Sequence, residues 1–291
     1  MSFAGETMLA AFTFALLCTA QSWAGSIVDS TGATVESKDP QRVITIAGNV
    51  SETVFALGLG DKVVAVDASS LFPAKTQELP KVGYYRNINA EGVLSQSPDL
   101  IVTTDAAGPP EVLEQLRGSG IPIAVLSAAQ TMEAAQKRIT QIGALLDRTD
   151  EAKVLTDKMA SQLAAVVKPE TPPKVLFIYA RGAGTLNVAG TDTSADAMIS
   201  LAGGTNAVTG YEGYKPMSAE AIIEAAPDFL LFTTRGLESL GGPEGVAKLI
   251  AIEQTPAGKK QQIIAVDDLV LLGFGPRTGE GVQELSEKLQ P

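Results

Sequence analysis

The chain holds five tyrosines and no histidine, and this narrows the chemistry it can do. Four of the five fall in two short segments. Tyr84 and Tyr85 run into Arg86, and Tyr211 and Tyr214 run into Lys215. The fifth, Tyr179, lies two residues before Arg181. A phenol is a poor metal donor at neutral pH. A guanidinium two residues away favours the phenolate, by Coulomb attraction and by donating a hydrogen bond. Phenolate is a hard oxygen donor suited to ferric iron, and tyrosine can serve as an axial ligand to a porphyrin iron. The same arginine could instead grip a carboxylate through two parallel hydrogen bonds. The missing histidine excludes Ser-His-Asp and Cys-His catalysis and His-ligated zinc.

The segments around these tyrosines are copies of each other. Asn89-Ala90-Glu91 through Pro98-Asp99-Leu100 reads as helix, turn and strand. Ser218-Ala219-Glu220 through Pro227-Asp228-Phe229 reads the same way 129 residues later, without a gap. A single long-period repeat implies two similar lobes rather than a solenoid. Each copy follows an aromatic-basic pair, Tyr85-Arg86 or Tyr214-Lys215, so the two lobes would face each other across a ligand cleft. Glu91 and Glu220 fall at the second position of their helices. They could serve the helix dipole, or they could form a two-point docking surface, one point per lobe.

The chain has 291 residues, enough for two domains, with 45% hydrophobic and 19% charged content. A net charge of −11 argues against nucleic acid or an anionic membrane as partner. An anionic ligand would have to be held by local Arg and Lys. Residues 1–24 read as a signal peptide, with an apolar run from Met8 to Ala20 and a small-x-small site at Ser22-Trp23-Ala24, although Glu6 rather than a basic residue precedes the run. The only cysteine, Cys18, lies inside that segment, so the mature chain is expected to lack disulfides and thiolate metal sites.

Strand and helix then alternate. Arg42 to Ile46 is a strand, and a helix capped by Ser51 is expected to run to Leu57 and stop at Gly58. Val63–Val66, Leu100–Thr103 and Ile123–Leu126 are further strands. Apolar residues at three- and four-residue spacing predict helix from Thr131 to about Val167, with a break or kink at Asp147 to Asp150. Lys168-Pro169-Glu170-Thr171-Pro172-Pro173 ends it. A second alternation starts at Lys174 to Ile178 and continues through Phe229–Phe232 and Gln262–Val266 to a last helix near 281–289. Gly182-Ala183-Gly184 reads as a tight turn leading to a helix near Thr193 and lacks the third glycine of a dinucleotide fingerprint. Gly273 to Thr278 is a candidate cleft loop. The expected fold is α/β: two Rossmann-like lobes, residues 25–130 and 174–291, joined by a long rigid helix within 131–173, with the ligand cleft between the lobes.

The string Gly83-Tyr84-Tyr85-Arg86-Asn87-Ile88-Asn89-Ala90-Glu91-Gly92 resembles the periplasmic haem-binding proteins of bacterial haem ABC importers. The likeness continues through Ala107 to Pro110, Gly213 to Glu220, Thr234 to Gly242 and Leu272 to Arg277. It implies an exported, monomeric, non-enzymatic protein of the periplasm. Such a protein would carry haem in the cleft and deliver it to an inner-membrane permease and its ATPase. The iron ligand of the family falls on Tyr84, and its supporting arginine on Arg86. Tyr85, Arg181, Tyr214, Lys215, Met217 and Arg277 are the other expected haem contacts, and Glu91 and Glu220 the permease-docking carboxylates. Some relatives add a histidine where this chain has Ala180-Arg181-Gly182, so that ligand is missing here. A ferric-siderophore or corrinoid carrier on the same fold is the nearest alternative. An exported hydrolase built on Asp99 and Asp228 is more distant, because both follow prolines at turns.

Overall fold

The computed structural model describes residues 24–182, 186–249 and 251–290. The expected signal peptide, apart from its last residue, and the middle of the Gly182–Asn187 turn lie outside the described residues. The chain opens with a hairpin of β1 (Ala24–Val28) and β2 (Thr34–Lys38). The N-terminal lobe is a four-stranded parallel sheet of β3 (Val43–Thr45), β4 (Val63–Val66), β7 (Leu100–Thr104) and β8 (Ile123–Leu126), in the order β4-β3-β7-β8. A two-stranded hairpin, β5 (Gly83–Tyr84) and β6 (Asn87–Ile88), stands apart from that sheet. The helices of this half are α1 (Gly48–Ala56), α2 (Ala90–Leu94) and α3 (Pro110–Gly118).

Two helices connect the lobes, α4 (Met132–Leu145) and α5 (Thr149–Ala164). The expected single long helix is thus divided, at the break foreseen near Asp147, where the backbone turns left-handed (φ 55°). The two helices cross closely at Gly143, where an added Cβ would lie 2.4 Å from the Ala152 Cβ. The C-terminal lobe repeats the first plan. Its strands are β9 (Lys174–Tyr179), β10 (Asn187–Ala189), β11 (Thr205–Asn206), β12 (Tyr214–Pro216), β13 (Phe229–Thr233) and β14 (Ile263–Val266). They run in the order β12-β10-β9-β13-β14, with β11 also on β9, and β10 and β12 are antiparallel. Its helices are α6 (Ser194–Leu201), α7 (Ala219–Ala225), α8 (Thr234–Ser239), α9 (Pro243–Ala247), α10 (Pro256–Lys259), α11 (Asp268–Gly273) and α12 (Thr278–Lys288). One local expectation fails: α1 starts at Gly48 rather than at Ser51. Ser51 is buried within it, and its hydroxyl pairs with those of Thr45 and Ser70 instead of capping.

Strands buried on both faces read as apolar runs, and successive side chains then feed two different cores. Val43, Leu100 and Val102 point into the same core as Val175, Phe177, Phe229 and Leu231 of the other lobe, with Ile139, Ile142 and Met159 of the connector between them. Ile44, Ile101 and Val125 face a core private to the first lobe. Leu176, Ile178, Leu230 and Phe232 face one private to the second. The lobes therefore share one continuous apolar interior as well as a connector.

The repeat is structural. Asp99 accepts hydrogen bonds from the backbone N–H of Gln41 and Arg42 (2.7 and 2.9 Å), and Asp228 from that of Lys174 (2.8 Å). Each aspartate pins the start of its lobe's central strand. Asn89 and Ser218 cap their helices, accepting from Gly92 and Ala221 at 3.2 Å each.

Candidate functional site

The carboxyl ends of the parallel strands of both sheets meet a cavity of about 750 Å³, as expected for open α/β sheets. From the first lobe it is lined by Ala47 and Asn49 after β3, Ser69 and Leu71 after β4, and the β5–β6 hairpin. From the second it is lined by Tyr179 and Arg181 after β9, Arg235 after β13 and Asp268 after β14, together with Ser194 and Tyr214.

The hairpin has a sequence reason. Gly83 lies at φ 105°, and a Cβ there would stand 2.9 Å from the Asn87 carbonyl oxygen. Glycine is the residue that tolerates such a backbone. Tyr85 and Arg86 form the two-residue turn, and Tyr84 pairs with Asn87 across it. The hairpin is tied down by Ala68 N–H donating to the Gly83 carbonyl (2.7 Å) and Gly108 N–H to the Tyr85 carbonyl (2.9 Å).

Tyr84 projects with 45% of its surface exposed, and its hydroxyl accepts a hydrogen bond from Arg86 Nη1 at 3.1 Å. The Tyr84 and Tyr85 rings meet edge to face at 4.6 Å, and the Arg86 guanidinium stands 4.6 Å over the Tyr85 ring. Tyr85 is held far from ionisation, first by its own burial and then by the adjoining Tyr84 hydroxyl. Across the cavity the Tyr179 and Tyr214 rings lie 5.9 Å apart, and Arg181 stacks 4.5 Å over Tyr179. The Tyr214 hydroxyl lies 3.3 Å from that of Ser194. Burial also raises the Tyr214 phenol, against the pull of the Ser194 and Thr193 hydroxyls. Among these tyrosines, Tyr84 pairs an exposed oxygen with a guanidinium donor.

The structure brings Tyr84, Tyr85, Arg86, Arg181 and Tyr214 together and leaves three expected contacts elsewhere. Lys215 neighbours Tyr214 on β12, so it points the other way and sits 5.0 Å over the Tyr211 ring. Met217 packs against the outer core of the second lobe. Arg277 lies behind the cleft, bound to Glu52 of α1 by two hydrogen bonds (2.8 and 3.1 Å) and to Asp267 at 3.2 Å, with Phe72 beneath its guanidinium at 3.8 Å. Burial raises the Glu52 carboxyl, and Arg277 draws it back down.

Arg277 is one of three ties that a single loop of the second lobe makes to the first lobe and the connector. Asn49 Nδ2 donates to the Gly273 carbonyl at 2.6 Å. Arg138, almost fully buried on α4, donates to the Phe274 carbonyl at 2.6 Å and to the Ser127 carbonyl as well. Burial lowers the Arg138 guanidinium to about 10, so it remains a cation beneath the cleft floor at neutral pH.

Sequence reasoning missed two acidic residues at the site. Asp67 is fully buried and accepts from Ala47 N–H (3.0 Å), Ser69 N–H (2.9 Å), the Ser70 hydroxyl (2.7 Å) and Tyr85 N–H (3.2 Å). It thereby gathers three cleft loops around one carboxylate. Its signal was an aspartate directly after the Val63–Val66 strand, followed by Ala-Ser-Ser. Asp268 lines the cavity beside Arg181 and Arg235, and nothing in its sequence context marked it. Glu91 and Glu220 lie exposed in the first turns of α2 and α7, outside the cavity lining. The Glu220 carboxyl is held below its ordinary range by its own backbone N–H and then by the Ser218 hydroxyl. Asp99 and Asp228, occupied with backbone, form no catalytic pair in the cleft.

A family model described as "Periplasmic binding protein" matches residues 43–269. The structure is similar to that of the periplasmic heme-binding protein RhuT from Roseiflexus sp. RS-1 in apo form. That chain is 40% identical, with a TM-score of 0.81, over 86% of this chain and 97% of that one. An uncharacterized ABC transporter substrate-binding lipoprotein, YvrC of Bacillus subtilis, is 29% identical over 87% of this chain and 81% of its own. A vitamin B12-binding protein of Vibrio parahaemolyticus is 28% identical over 88% of this chain and 92% of its own.

Proposed function

The chain belongs to the periplasmic binding protein family, and from that premise we propose that it is the haem-binding component of an ABC importer, working as a monomer in the periplasm. The observation that carries this reading is the Tyr84 hydroxyl, accepting from Arg86 at 3.1 Å on the wall of a cavity between two lobes. A phenolate there is the hard anionic donor that ferric iron prefers, and Arg86 compensates its charge. Tyr85, Tyr179 and Tyr214 supply aromatic faces for a flat macrocycle. Arg181 and Arg235 supply donors for its carboxylates. The likeness to a haem-binding structure at 40% identity supports the same cargo.

Glu91 and Glu220 are the carboxylates that dock the two lobes on the permease. They are equivalent by repeat, exposed, and each on a capped first helical turn. Titration of the purified mature protein with ferric haem tests the cargo. A saturable shift of the Soret band with a high-spin charge-transfer band is expected. A corrinoid is the second reading, favoured by the B12-binding relative. Tight binding of cobalamin with no haem spectrum would replace the first reading by the second.

A further inference from the structure

A carboxylate in the wall of an anion-binding cleft needs an explanation, and Asp268 is one. Its side chain is 8% exposed, while that of its partner Arg181 is 50% exposed. One carboxylate oxygen accepts from the Arg235 backbone N–H at 3.1 Å. The other has Arg181 Nη2 as its partner, at 3.4 Å, long for a charge-assisted hydrogen bond. Arg181 is otherwise held by light contacts: Nη1 donates to the Ala180 carbonyl at 3.0 Å, and the guanidinium lies over Tyr179. A half-exposed cation is thus loosely parked on a buried anion, inside the cavity that takes the cargo.

Resting on the haem reading above, we propose that Asp268 tempers the cleft's preference for an anionic cargo by competing with that cargo for Arg181. In the empty cleft Asp268 holds Arg181 against the second lobe. A ligand carboxylate reaching the cavity replaces the 3.4 Å contact with a shorter one, and Arg181 turns to it without leaving its stack on Tyr179. Asp268 then keeps its hydrogen bond from the Arg235 backbone, so it is not stranded without a partner. A neutral ligand offers nothing to exchange, so Arg181 stays on Asp268 and the Asp268 charge remains compensated. Three guanidiniums line the cavity, on Arg86, Arg181 and Arg235, and Asp268 is the acidic residue among them. The lining therefore suits an anionic macrocycle better than one whose side chains end in amides.

The test is Asp268→Asn, which keeps an acceptor for the Arg235 N–H and removes the competing charge. Wild type and variant are titrated with ferric haem and with ferric haem dimethyl ester, whose side chains are neutral. The variant is expected to bind haem about tenfold more tightly, the low end for one charge-assisted hydrogen bond, and the ester with unchanged affinity. Arg181→Gln should lose affinity for haem and not for the ester, and in that background Asp268→Asn should have no tightening effect. Equal weakening toward both ligands by Asp268→Asn would make Asp268 a scaffold residue and overturn the exchange. If Asp268→Asn does not fold, Arg181→Gln decides: equal loss toward haem and ester overturns the exchange too. Wild type that binds neither porphyrin would overturn the haem reading itself, and the exchange with it.

Discussion

Replacing Tyr84 by phenylalanine separates folding from cargo binding, because the structure gives its hydroxyl almost nothing to do for the fold. The side chain is 45% exposed, and its oxygen accepts from Arg86 at 3.1 Å and adjoins the Tyr85 hydroxyl. Losing a hydrogen bond that solvent can replace costs about 0.5 kcal/mol or less. In a chain of this size that shifts Tm by about 2 °C at most. The edge-to-face contact with Tyr85 survives, since phenylalanine keeps the ring. Binding is another matter. Removing an outer-shell partner of a metal ligand already costs about 10–100-fold, so deleting the donor atom should cost about a hundredfold or more. Absorbance titration with ferric haem, alongside a thermal melt, reads both numbers on one sample. The expected result is an unmoved melt, weak binding and no phenolate-to-iron charge-transfer band. An unchanged spectrum would refute the argument. It would require Tyr85 or Tyr214 to ionise despite the burial that opposes it.

Other substitutions probe the rest of the site. Arg86→Ala should weaken haem binding most at low pH and recover as pH rises, because phenolate then forms without help; a loss equal at all pH values would assign Arg86 to a carboxylate of the cargo instead. Arg277→Gln leaves the buried Glu52 carboxylate unpaired, at a cost of about 3 kcal/mol near neutral pH, seen as roughly 6–12 °C in Tm. Its sign with pH follows from burial, which raises Glu52 in the folded state. The folded variant binds the proton more tightly than the unfolded chain, so stability is retained at acid pH and lost as pH climbs above the ordinary carboxylate range. A variant equally unstable from pH 4 to 8 would contradict that account. Glu91→Lys and Glu220→Lys should leave haem spectra and folding intact and reduce uptake in vesicles carrying the importer. Undiminished uptake by the double reversal would return both residues to a helix-dipole role.

The sequence carried the strands and the repeat more clearly than the cleft. Runs such as Leu100–Thr104 and Phe229–Thr233 are buried on both faces and so declare themselves by composition. The short β10, β11 and β12 of the second lobe carry no such run, and they went unread. Tyr84 and Arg86 were legible because a local hairpin sets their spacing. Lys215 and Met217 were misplaced because alternation along β12 and beyond it decides which side faces the cleft, and a three-residue strand shows no period. Arg277 was misplaced for a different reason. Its partner Glu52 is 225 residues away, and only the packing of the two lobes joins them. Asp67 works through loops from three strands, so its role exists only once they converge.

The two lobes meet through one shared core, and three side-chain ties join the loop at Gly273–Arg277 to the first lobe and the connector. A gross swing of one lobe would have to break all of these together. For the proposed cargo, residence time would then be set at the cavity mouth rather than by spontaneous opening. The repeat shows where an outside force could act instead. Tyr84 and Glu91 lie seven residues apart in one segment, and Tyr214 and Glu220 six apart in the other. A pull on either acidic helix would travel along six or seven residues of one segment to a tyrosine of the cavity wall. On the proposed docking role of Glu91 and Glu220, unloading in this geometry would be local prying at two points, with the shared core as the fulcrum.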